Sequence, residues 1–200
     1  IRDEKGVDFS GYKSNTIIRR LEKRISINRF QSIEEYVDFL INNRKEINIL
    51  FKELLIGVTK FFRDEPAFNE LQENVLPNLF KNNKSKKPLR IWTIACSTGE
   101  EAYSLAILLK EYMTENNINR EVKIFSTDID TDSIEFASTG LYPESIISDI
   151  SADRISRFFN RKEEGYQVKE SIRSMVVFAQ HNILRDPPFS KIDLLVCRKN

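Results

Sequence analysis

Two different hydrophobic rhythms divide this chain. From Thr16 to Phe80 apolar residues recur every three or four positions, the spacing of helices that bury one face. "SIEEYVDFLI" opens with a capping box, Ser32-x-x-Glu35, and puts Ile33, Tyr36, Val37, Leu40 and Ile41 on one side. "EINILFKELLIG" repeats the pattern with Ile47, Leu50, Phe51, Leu54 and Leu55, and Gly57 is a natural stop. In "RDEPAFNELQENVLPNLF", Asp64 is a candidate N-cap and Pro66 falls in the first turn, where a missing N–H does no harm. The polar, basic "KNNKSKKP", closed by Pro88, reads as a linker. Residues 1–80 are thus expected to form a small helical domain and 81–88 a joint.

After Pro88 the apolar residues run together. "LRIWTIA", "EVKIFSTDID", "SMVVFAQ" and "KIDLLVC" are four strands without polar alternation, and "EEAYSLAILLKEYM" and "DSIEFASTG" are helices between them. Strand and helix alternating, with fully apolar strands, signal an α/β domain with a parallel sheet covered on both faces, the doubly wound arrangement. The order expected for such a sheet makes the first and fourth strands neighbours. Between Tyr142 and Arg173 a polar stretch interrupts the alternation, and a small inserted β-hairpin subdomain with a short helix is expected there, within a domain spanning 89–200.

Composition narrows the function. The chain has 200 residues and a net charge of +1, which favours neither nucleic acid nor a membrane surface as a partner. No apolar run approaches the ~20 residues of a membrane span, and the polar N-terminus has no signal-peptide core. Two cysteines, Cys96 and Cys197, and one histidine, His181, cannot build a structural zinc site, so no metal is expected. Each cysteine ends an apolar run and reads as a buried small hydrophobe in a reducing cytoplasm, the two lying close together as thiols.

The candidate chemistry sits at the strand ends. In a doubly wound sheet ligands bind outside the carboxyl ends of the strands. The first strand delivers "ACSTGEE" there and the second delivers "TDID", with Asp128 at its tip, 29 positions after Gly99. An acid in that place accepts hydrogen bonds from ribose hydroxyls, and Gly99 lets backbone approach a ligand closely. The three spaced glycines of a pyrophosphate site and the lysine of a phosphate loop are both absent, which points to an adenosine compound without phosphates.

Five segments, "GVTKFFRDEPAF", "ACSTGEEAYSLA", "FSTDIDTDSIEFASTGLY", "HNIL" and "IDLLVCR", occur in an order that resembles the chemotaxis receptor methyltransferases of the CheR type. "DFSGYKSNTIIRRLEKR" looks like the variety fused to other signalling domains. The resemblance implies a Rossmann-like methyltransferase domain, S-adenosylmethionine as donor (S-adenosylhomocysteine as product), methyl esterification of receptor glutamates, and a place in a larger multidomain signalling protein. By motif it assigns Thr59 and Arg63 to the methionine portion of the donor and the acceptor carboxylate, and Glu101 and Asp128 to the cofactor. It puts Asn182 and Ile183 at the adenine and Arg198 at the site edge. Gly57 stands where the family often has Asn, and Cys197-Arg198-Lys199-Asn200 where it usually reads Cys-Arg-Asn. The chemistry implied needs no general base, because a carboxylate is already nucleophilic at neutral pH. Arg63 is then the candidate catalytic residue, its planar fork matched to a carboxylate.

Blander readings compete with each assignment. Thr98-x-x-Glu101 is also a capping box, Asp128 could cap the following helix, and Phe62 reads equally as core or site wall. In "TIIRRLEKRI", Ile17, Ile18, Leu21 and Ile25 are read on one arc and Arg19, Arg20, Lys23 and Arg24 on the opposite one. The single sign of that basic arc suits an acidic partner, and the resemblance implies the receptor's glutamate-rich methylation helices. Rival functions are a non-catalytic S-adenosylmethionine-binding module of a sensory protein and a nucleic-acid methyltransferase. Against the latter stand the small net charge and a "DPPF" that precedes the fourth strand instead of following it. The chain is expected to lack further strands after Cys197 and to be an incomplete enzyme on its own.

Overall fold

The computed structural model describes residues 1–7, 9–10, 14–55, 59–82 and 87–197. The chain divides into two compact units, Ile1–Gly57 and Val58–Asn200.

The first unit is all helix. α1 (Arg2–Lys5) ends at Gly6, and α2 (Ser14–Ile27), α3 (Ile33–Ile41) and α4 (Arg44–Leu55) follow. The predicted capping box starts α3: Ser32 Oγ accepts from the Glu35 amide, and Glu35 Oε2 accepts from the Gln31 amide. Tyr36, Leu50 and Leu54 form the core, with Ile17, Leu21, Ile25, Phe30 and Phe39 against it. The expected stop at Gly57 lies outside the described residues. Of the apolar face expected on α3, Tyr36 is fully buried, whereas Ile33, Val37 and Ile41 are exposed.

Arg24 corrects the reading of α2. Its guanidinium is buried and grips Glu46 of α4 in a two-pronged pair, Nε to Oε1 at 2.9 Å and Nη2 to Oε2 at 2.8 Å. Tyr36 Oη and Asn28 Nδ2 also donate to Glu46 Oε1. Seven positions are nearly two helical turns, so Arg24 shares the direction of Ile17 rather than of the basic arc. Ile18, placed with the apolar residues, is half exposed.

In the second unit one helical rod, α5 (Glu65–Glu70), a π-turn (Leu71–Val75) and α6 (Leu76–Asn82), precedes the sheet. The π-turn sits just before Pro77, which has no N–H to offer Glu73. The rod was expected in the N-terminal domain. It belongs to the larger unit instead: Phe68 and Leu76 enter that core, and Phe80 stacks on Tyr112.

β1 (Leu89–Ile94), α7 (Glu100–Glu115), β2 (Val122–Asp128) and α8 (Thr131–Thr139) follow, and β6 (Val176–Gln180) and β7 (Leu194–Cys197) complete a parallel sheet in the order β6-β2-β1-β7. This is the expected strand order, and it sets Cys197 opposite Ile94, two residues before Cys96. Both cysteines are free thiols, Cys96 buried and Cys197 exposed. Leu89, Ile91, Val122, Ile124 and Val176 point from the sheet into one core with α7. Every residue of α7 from Ala102 to Leu109 is buried, as for a helix enclosed on all sides.

The opposite face carries Trp92 and Phe125, and Phe189 folds onto both with ring centroids at 5.1 and 5.2 Å. Covering of both faces by helices is not seen among the described residues; Val177 and Leu195 on this face stay about half exposed.

The insertion contains the expected short helix and hairpin and adds a third strand. β3 (Leu141–Tyr142), a 3₁₀ turn (Glu144–Ser148), α9 (Ala152–Phe158), β4 (Phe159–Lys162), β5 (Gly165–Val168) and α10 (Glu170–Arg173) build a three-stranded antiparallel sheet, β3-β5-β4. No described helix is long and apolar enough to cross a membrane.

Candidate functional site

The turn from β1 into α7 is wound against its natural preference. Ala95, Ser97 and Gly99 all have positive φ, at 57°, 49° and 91°. Two of them carry side chains, and such backbone persists only where its surroundings over-determine it. Four separate elements do so here. The Ser97 amide donates to Asp128 Oδ2 of β2 at 2.7 Å. Tyr142 Oη of β3 donates to the Thr98 carbonyl at 2.7 Å. Gly99 is clamped by α8 and β6: a Cβ there would lie 2.8 Å from Ala137 Cβ and 3.1 Å from the Phe178 ring. The glycine expected to admit a ligand is therefore required by packing on its core side.

Asp128 ends β2 half-buried, with Oδ2 holding Ser97 and Oδ1 accepting from the Asp130 amide at 3.0 Å. It is not the cap of α8, a position taken by Asp130. Each carboxylate oxygen keeps lone-pair capacity for a further donor. From β6, the His181 amide donates to the Asp128 carbonyl, which carries Asn182 and Ile183 to the same end of the sheet. Asn182 closes a tight turn, its Oδ1 accepting from the Leu184 amide and its own amide donating to Asp186 Oδ2. Ile183 is half exposed beside it.

Acids collect on the turn. The predicted Thr98–Glu101 box is replaced by a contact from Thr98 Oγ1 to the Glu100 carboxylate at 2.7 Å, and Gly99 at the N-cap makes no side-chain bond. Burial holds the Glu100 carboxyl above the usual carboxylate range. The Cys96 thiol is pushed up by burial and then by the charges of Asp128, Glu101 and Glu100. Carboxylates at the α7 N-terminus already complement its positive end, so a phosphate is disfavoured there. This set of acceptors suits hydroxyls and positive charge.

The segment with Thr59 and Arg63 reaches the same turn from the other side. The Phe62 amide donates to Ser104 Oγ at 2.9 Å, and Ser104 donates to the Glu100 carbonyl at 2.7 Å. Phe61 is core, packed on Tyr142 and Phe159 at 4.9 and 5.6 Å. Thr59 and Arg63 are half-buried. The structure places Glu101, Asp128, Asn182 and Ile183 at one end of the sheet and brings Phe62, the neighbour of Arg63, onto Ser104 of α7, while Gly57 and Arg198 lie outside the described residues. Arg19, Arg20 and Lys23 belong to the other unit, where Lys23 pairs with Glu53 at 3.1 Å. Among the described residues no cluster of metal-ligating side chains occurs.

Sequence reasoning missed Ser104, Glu100 and Tyr142. The one available signal was Tyr142 itself, a tyrosine between the helix stop at Gly140 and Pro143.

Residues 57–200 match the family model described as CheR methyltransferase, S-adenosylmethionine binding domain, and residues 1–55 match the CheR methyltransferase all-alpha domain. The chain is 39% identical to a 104.1 kDa protein from the hypE 3′ region of Rhodobacter capsulatus, over 96% of this chain but 20% of that protein. It is 34% identical to the chemotaxis protein methyltransferase of Borreliella burgdorferi, over 96% of this chain and 71% of the relative. With chemotaxis protein methyltransferase 2 of Pseudomonas aeruginosa the identity is 32%, over 96% and 69% of the two chains. The ligand assigned to the matched domain, S-adenosylmethionine, agrees with the acidic, phosphate-excluding turn. The chain belongs to the CheR methyltransferase family.

Proposed function

We propose that this chain methylates glutamate side chains of chemoreceptors, with S-adenosylmethionine as donor. The observation that carries the reading is Asp128, pinned by the Ser97 and Asp130 amides at the tip of β2 with lone pairs to spare, beside a turn ringed by acids. Asp128 would take the ribose hydroxyls, Glu101 the cationic portion, and Asn182 with Ile183 the adenine. Gly57 and Arg198, outside the described residues, are the remaining motif assignments to the cofactor. When bound, the cofactor supplies an electrophilic methyl group on a sulfonium. Arg63 would orient the acceptor carboxylate with its planar fork, and Thr59 would hold the methionine portion. No base is needed, so the protein's share is alignment in a dry cleft, where proximity is worth roughly 7–11 kcal/mol.

Arg19, Arg20 and Lys23 remain candidates for docking an acidic receptor helix; Arg24, committed to Glu46, does not. A cytoplasmic location fits free thiols and such a partner. Membership of a larger protein is supported by the 104.1 kDa relative, of which this chain matches 20%. The second reading, a cofactor-binding module without turnover, rests on Gly57 and on the Lys199 that interrupts Cys-Arg-Asn. Calorimetric titration with S-adenosylhomocysteine, followed by methyl transfer from labelled donor to a purified receptor cytoplasmic fragment, tests both. Binding with transfer supports the enzyme, binding without transfer the module, and no binding rejects the site.

A further inference from the structure

The inserted subdomain takes no part in the chemistry proposed above, yet it grips both sides of the site. On one side, Tyr142 of β3 holds the Thr98 carbonyl of the strained turn. On the other, three successive residues of the loop that carries Arg63 are each held by the insertion. Lys60 pairs with Asp149 at 3.8 Å, and Phe61 packs edge-on against Tyr142 and Phe159. The third, Phe62, lies under the Arg154 guanidinium, 4.1 Å from the ring centroid.

Arg154 is itself anchored. Its Nε and Nη2 reach the Glu111 carboxylate of α7 at 3.0 and 2.8 Å, and Glu111 is 7% exposed. A guanidinium clamped between a buried carboxylate and an aromatic face is a stronger tie than a surface ion pair. Phe62 has a φ of 48°, a conformation that needs outside support, and its amide is the group that bonds Ser104 beside the turn.

We infer that the inserted subdomain is the positioning element of the site and that Arg154 is its principal positioning residue, holding Phe62, and through it Arg63, against α7. This rests on the cofactor-site reading. Arg154 touches neither cofactor nor acceptor in this role, and acts through the backbone of the 59–64 loop.

The test compares the full chain with Arg154→Met and Arg154→Lys. Arg154→Met keeps the apolar stem and removes the fork; Arg154→Lys keeps a charge that reaches Glu111 and the ring. Two readouts are taken: amide hydrogen exchange of residues 61–63 relative to β1 and β2, and S-adenosylhomocysteine affinity by calorimetry. Arg154→Met is expected to speed exchange in the loop while the strands keep their protection, and to weaken affinity roughly 3- to 30-fold, with Arg154→Lys intermediate. A folded Arg154→Met protein with unchanged loop exchange overturns the inference, and so does one whose strands and loop lose protection equally. If Arg154→Met does not fold, Tyr142→Phe, which removes one hydroxyl, decides: weaker affinity supports the positioning role and unchanged affinity overturns it. If the unaltered chain fails to bind S-adenosylhomocysteine, the cofactor reading falls, whereas loop exchange still decides whether Arg154 positions Phe62.

Discussion

Asp128 and Ser97, 31 positions apart, are joined by a 2.7 Å hydrogen bond from backbone amide to carboxylate. It ties the tip of β2 to the turn leaving β1, so the residue proposed to hold the ribose also maintains the backbone that surrounds it. Asp128→Ala should weaken S-adenosylhomocysteine binding by about 1.5–3 kcal/mol, the worth of hydrogen bonds to a charged group. Melting temperature should fall as well, since two amides lose their acceptor. Unaltered calorimetric affinity in a folded variant would remove Asp128 from the site.

Arg24 is structural, so its loss is expected to act on stability. Arg24→Ala leaves the Glu46 carboxylate buried without its cation, which costs about 3–5 kcal/mol for pairs of this kind. Arg19→Ala, at an exposed position of the same helix, should shift stability by less than about 0.5 kcal/mol. Chemical denaturation of the two variants checks the contrast. Equal, small effects would mean that the pair contributes nothing net.

Gly99 combines a positive φ with a missing Cβ that Ala137 and Phe178 would not tolerate. Gly99→Ala should therefore destabilise the second unit by at least about 1–3 kcal/mol. Ala137→Gly on top of it should restore part of the loss by clearing the nearest contact. A Gly99→Ala protein with normal thermal stability would show that the turn relaxes freely.

Glu100 gives a pH dependence with a definite sign. Burial raises its folded pKa above the unfolded value, so the folded state retains the proton more readily than the unfolded chain. The group therefore favours folding below its unfolded pKa, and that contribution is lost as pH rises through the folded pKa. Glu100→Gln, which has no charge to desolvate, should melt higher than the parent at pH 7.5, and the difference should shrink or vanish near pH 4. A constant difference at both pH values would assign the effect to packing rather than ionisation.

The frame of the candidate site was legible because it follows the chain. The strands, their order and the acid at the tip of the second one come from apolar runs, a glycine-marked turn and one spacing. The wider contacts were not legible. Arg24 falls inside an unbroken basic run, and only the carboxylate of Glu46, 22 positions away, reveals why a cation stands on a buried face. The rod of α5 and α6 has the same amphipathic pattern whichever core receives it, so its assignment waited for Phe68, Leu76 and Phe80 to find their partners.

By itself the sequence determined the helical start, the parallel sheet with its strand order and the class of cofactor, because periodicity and turn chemistry act over a few residues and are written in order. Tertiary structure alone decided which cation is buried, why Gly99 is glycine, and that Arg154, Tyr142 and Ser104 brace the site. Those roles arise from contacts between residues 22 to 92 positions apart, such as Arg24 with Glu46 and Arg154 with Phe62, where no local pattern records the neighbour.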